Sequence, residues 1–168
     1  LCALFSGPLL IWFYRRYAGP HADDAPFAAK VAKGTLHCGA GCALADLICE
    51  NLAHCVPGVL AYFGLGTIFS TEIFAVWTMD YVFALLTGIV FQYFAIAPMR
   101  DLSVGEGVMA AAKADVLSLT SWQVGMYGSM GLAHFILFPA FVGDKVDAGS
   151  PVFWAAMQMA MLAGFASA

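Results

Sequence analysis

Between His37 and Cys55 the chain gathers two histidines, the carboxylates Asp46 and Glu50, and four of its five cysteines. On a helix, at roughly 100° per residue, Cys38, Cys42 and Cys49 fall within about 40° of one another. Asp46 lies at the edge of that face, while Glu50 and His54 continue the four-residue rhythm and drift around the helix. His37 and Cys55 occupy a different face. A later stretch places Met126, Met130 and His134 four residues apart, and another sets Met157 and Met161 on either side of Gln158. Thiolate, thioether and imidazole are the donors that suit Cu(I), whereas hard oxygen ligands suit magnesium or calcium. Zinc could use the cysteines and histidines, but a closed structural zinc site needs four fixed ligands and "HCGAGC" supplies at most three.

Each of these residues also has a bland reading. Cysteine and methionine fill irregular apolar space, and a single histidine can bond to nearby backbone. The acids are harder to dismiss, because a charged carboxylate near mid-membrane costs at least ~2.5 kcal/mol. Asp80, eight residues past Glu72, has no basic residue within reach on its own helix. It therefore needs a proton, a partner on another helix, or a cation. The metal-ligating candidates are Cys38, Cys42, His37, Asp46, Asp80, Met126, Met130 and His134, and the cofactor they would take is copper.

The elements that must position these groups are membrane helices. The 168 residues are 62% hydrophobic and 11% charged, with mean hydropathy +0.83. Soluble domains usually carry more than twice that charge. The charge-free run from Val116 to Gly143 exceeds the ~30 Å hydrocarbon core at ~1.5 Å per residue. The fold class is all-α: a single helical domain over residues 1–168, an integral membrane bundle of about five transmembrane helices. The first block, "LCALFSGPLLIWFY", reads as the tail of one helix. A second span falls within Leu36 to Phe69, kinked at Pro57-Gly58. A third covers Glu72 to Pro98, a fourth about Val116 to Val142, and a fifth begins near Pro151. The first and last are expected to be incomplete.

Six of the seven basic residues fall in loops 15–35 and 99–115, which the positive-inside rule makes cytoplasmic. Asp115 then reads as the cap of the fourth helix. No basic stripe interleaved with aromatics suggests nucleic acid. Membrane lipids are the expected partners, with other subunits of a membrane complex or a second copy as further candidates.

Three more stretches, "GIVFQYFAIAPMRDLSVGEG", "AAAKADVLSLTSWQVGMYGSM" and "FWAAMQMAMLAGF", together with "HCGAGCALAD", resemble a widespread bacterial polytopic membrane family. It is catalogued as a domain of unknown function, and some members carry automatic labels such as copper oxidase. The resemblance covers about Gly34 to Ala168. It implies an inner-membrane location and marks His37, Cys38, Cys42, Asp46, Asp80, Gln92, Met99, Lys113, Asp115, Gln123, Met126 and Gln158. No cupredoxin or multicopper-oxidase pattern accompanies it.

Two functions of different classes follow. One is binding or passage of a soft metal such as Cu(I) through the bundle. The other is a non-catalytic auxiliary subunit of a larger membrane complex of respiratory or photosynthetic type. An enzyme ranks below both, because Cys, His and Asp on one helix radiate outward and form no nucleophile–base array.

Overall fold

The computed structural model describes residues 2–17, 24–100, 102–143 and 146–168; for the helical residues 4, 37, 95 and 97–100 it describes the backbone alone. Among the described residues the chain is helical and has no strand, with a single bridge between Leu65 and Phe69. Short α1 (Ala3–Ser6) and α2 (Pro8–Tyr17) are followed by three 29-residue helices: α3 (Phe27–Cys55), α4 (Glu72–Arg100) and α5 (Val104–Leu132). A π turn, Ala133–Leu137, carries α5 into α6 (Phe138–Phe141), and α7 spans Pro151–Ser167.

By length and composition two stretches can cross a membrane, Glu72–Phe94 and Val104–Phe141. A third is available if α3 and the 3-10 helix Pro57–Phe63, bent by 116°, form one broken span. The break falls where expected: Val56 leaves helical geometry and Pro57 cannot continue the α3 hydrogen-bond ladder. Gly64 ends the 3-10 segment at φ +94°, a left-handed conformation that favours glycine. The amino-terminal block differs from the single helix tail expected, being divided at Gly7 into α1 and the ten-residue α2.

Two boundaries move. Loops 15–35 and 99–115 are shorter than the charge pattern suggested, because α3 starts at Phe27 and α5 at Val104. At the second, Ser103 and Glu106 form a capping box, the Glu106 carboxylate accepting from the Ser103 amide at 3.2 Å. Such a box satisfies free first-turn amides and fixes the start of the helix eleven residues before Asp115. Asp115 is therefore not a cap but a mid-helix residue.

α3 packs most extensively on α4, and α5 packs on both α4 and α7. Small residues set these distances. A methyl group added at Gly41 would meet the Gly88 amide nitrogen at 3.0 Å, so α3 and α4 touch backbone to backbone. Trp122, with 0% of its surface exposed, fills a slot between Gly39 of α3 and Gly164 of α7. Phe5 and Phe165 approach its indole edge-on, with centroids at 5.6 and 6.1 Å. At the carboxyl end of α7, reciprocal bonds join Ser167 to Ser121 of mid-α5: each hydroxyl donates to the other residue's carbonyl.

Candidate functional site

The stripe Asp115, Leu119, Trp122, Met126 and Met130 is buried along α5 at helical spacing. In the same interior lie Cys38, Cys42 and Asp46 of α3 and Asp80 of α4, all buried, while Cys49 is buried in a second cluster with Leu60, Val76 and Met79. Thiols, a thioether and carboxylates from three helices thus share one interior. Among the described residues the buried polar side chains are Thr35, Asp46, Asp80, Asp115 and Gln123, with no lysine, arginine or histidine among them.

At mid-bundle the Asp46 and Asp80 carboxyls face each other. Tyr127 places its hydroxyl 2.8 Å from Asp80 Oδ2 and 2.9 Å from the Trp77 carbonyl oxygen, so one hydrogen serves two acceptors. Gln123 Nε2 donates to the same Asp80 oxygen at 3.3 Å. Asp46 Oδ2 and Asp80 Oδ1 have no hydrogen-bond partner. Facing carboxyls with no basic side chain beside them among the described residues need a proton or a positive ion between them. Tyr127 is fixed by its indole neighbour, stacked on Trp77 at 4.8 Å and 8°.

Towards the other end Cys38 and Cys42 adjoin one another, four residues apart on α3. Asp115 lies beside Cys38 without completing a hydrogen bond to it, and both its carboxylate oxygens are unpaired. Its carboxyl rests on Gly88, where any Cβ would collide with it. Thr87, next to that glycine, sets its hydroxyl 3.1 Å from the Gly41 carbonyl oxygen. The close approach of α3 and α4 thus makes room for an acid from α5.

The expected ligands divide accordingly. Cys38, Cys42, Asp46, Asp80 and Met126 come together in the interior. Met130 belongs to the same core and also reaches a cavity at the carboxyl end of α3, which half-buried His134 lines. The π turn that holds His134 interrupts the four-residue rhythm that sequence spacing assumed. The side chains of His37 and Met99 lie outside the described residues. Lys113 is exposed and Gln92 half-buried. Among the described residues no three His, Cys, Asp and Glu side chains form a group able to hold a metal ion. A closed zinc-type shell is therefore absent from that set.

Spacing did not single out Tyr127 and Gly88. Asp115 had a readable signal, since it lies eleven residues, about three turns, before Met126 and so on the same face.

The sequence profile of a family described as Domain of unknown function (DUF4396) matches residues 29–168. The chain belongs to this family. The DUF4396 match contains α3 through α7 from Ala29 onward, and with them every interior group described above. No curated protein and no solved structure matches the chain.

Proposed function

We propose that this DUF4396 protein is a bacterial inner-membrane protein that binds a soft metal, Cu(I) by preference, inside its helical core and passes it across the membrane. One observation carries the reading: Cys38, Cys42 and Met126 are buried in the same core as the facing carboxyls Asp46 and Asp80. Thiolate and thioether donors favour Cu(I), and the neighbouring acids offset positive charge in a medium that penalises it. Cys38 and Cys42 would hold the metal, with Met126 as a third soft donor, while the unpaired oxygens of Asp46 and Asp80 balance its charge. The donor set suits a low-coordinate soft ion and not a four-ligand zinc site. The amino-terminal turns of α3 and α5 that carry Lys30, Lys33 and Lys113 would face the cytoplasm.

The auxiliary-subunit reading rests on exposed apolar side chains such as Phe94, Leu117 and Val124. Lipid covers such faces equally well, so the polar interior favours metal handling. The test is elemental analysis of the full chain purified from copper-supplemented membranes. Stoichiometric copper that disappears in Cys38→Ser/Cys42→Ser is expected. Wild-type protein free of copper, migrating as a fixed component of a larger complex, would move the assignment to the subunit role.

A further inference from the structure

The end of the bundle where α3 finishes and α4 begins holds a second feature, separate from the thiol–carboxyl interior. The last turns of α3, the first turn of α4, the π turn and the segment leading into α7 enclose a cavity of about 350 Å³. That volume lies at the lower end of the range for small-molecule sites. Three carboxylates, Glu50, Glu72 and Asp147, reach it from three different segments. His54 stands beside one of them, its Nδ1 3.9 Å from Asp147 Oδ2. No lysine or arginine lines the cavity among the described residues, and most of the remaining wall is apolar, including Val76, Trp77 and Phe153.

This combination narrows the ligand. An anion would meet three carboxylates and, among the described residues, only the imidazoles of His54 and His134 to offset them. A neutral apolar molecule would strip water from those same acids with nothing in return. A bare metal ion would need several donors at bonding distance, and no such group exists among the described residues. An ammonium group satisfies the acids, while carbon attached to it covers the apolar wall. Carboxylates between low-dielectric walls also concentrate cations before contact.

We infer that this cavity binds a small organic cation, an ammonium group on a short apolar body. The ammonium sits among Glu50, Glu72 and Asp147, and the body lies against Val76, Trp77 and Phe153. The ammonium chemistry is common to soluble amines and to phospholipid headgroups, and one experiment separates these sources.

The full chain in detergent is titrated with phenethylammonium and with choline, in parallel with 3,3-dimethylbutan-1-ol, the uncharged isostere of choline, and with zinc(II). Tryptophan emission reports binding, since Trp77 lines the site. Saturable binding of an ammonium probe is expected, without saturation by the isostere. Glu50→Gln/Glu72→Gln should weaken it about tenfold or more, as loss of charge-assisted contacts does. Glu72 is solvent-exposed, so Glu72→Gln alone serves if the double variant fails to assemble. Copper content should be unchanged in these variants, and this separates the cation site from the metal reading. Nanodiscs then assign the source: weaker probe binding in phosphatidylethanolamine than in phosphatidylglycerol identifies a headgroup, and equal binding a soluble amine. The proposal is overturned if neither ammonium probe saturates, if the isostere binds as well, if zinc binds in place of the ammonium probes, or if the glutamine variants bind unchanged.

Discussion

The Tyr127 hydroxyl meets Asp80 Oδ2 at 2.8 Å, joining α5 to α4 across the middle of the bundle. Tyr127→Phe keeps the ring stacked on Trp77 and removes only the hydroxyl. It leaves Asp80 with the longer Gln123 contact, so the expected loss is about 1–3 kcal/mol. Thermal unfolding in detergent measures it. In an Asp80→Asn background the same substitution should cost markedly less, because the charge-assisted acceptor has already gone.

Gly88 and Asp115 form a second pair whose fit is steric. Gly88→Ala puts a methyl group into the Asp115 carboxyl, and overpacking of this kind costs ~1–3 kcal/mol. Asp115→Ala should rescue Gly88→Ala, raising the melting temperature of the double variant above that of the glycine variant alone. Additive losses would place the strain elsewhere.

Glycines on this bundle are not equivalent. At Gly39 an added Cβ would meet Trp122 at 2.5 Å, whereas at Gly128 nothing lies within 4 Å. Gly39→Ala should therefore destabilise, and Gly128→Ala should stabilise by roughly 0.5–1 kcal/mol through helix propensity. Melting curves of the two variants should shift in opposite directions.

The thiols differ in access. Cys55 is exposed, Cys2 is partly covered, and Cys38, Cys42 and Cys49 are buried. A membrane-impermeant maleimide applied to spheroplasts should label Cys55 from outside, if the end that carries Lys30, Lys33 and Lys113 faces the cytoplasm. The three buried cysteines should react only after denaturation, as counted by mass spectrometry. Labelling of Cys55 only after lysis would reverse the orientation.

The capping box offers a prediction outside the interior. Ser103→Ala removes the hydroxyl that lies 2.6 Å from Glu106 Oε2 and the cap at the start of α5. A loss of about 1 kcal/mol is expected, with copper content unaffected.

Much of this protein was legible in the order of its residues. Long charge-free runs prescribe helices, because an apolar medium requires every backbone donor and acceptor to be satisfied within its own segment. Pro57 prescribes the break after α3, and four-residue spacing puts Cys38 and Cys42 on one buried face, as observed. Periodicity also places Asp115 in line with Met126. Its reading as a cap gave way because the Ser103–Glu106 box starts α5 three turns earlier. What periodicity cannot supply is the partner across the gap. Asp46 facing Asp80, Tyr127 reaching Asp80, and Asp115 resting on Gly88 each join helices distant in sequence, and only their approach and rotation decide which faces meet. Residue spacing established which groups are costly in a bilayer; the packing of α3, α4 and α5 alone decided which of them share that cost, because burial and pairing belong to the assembled helices.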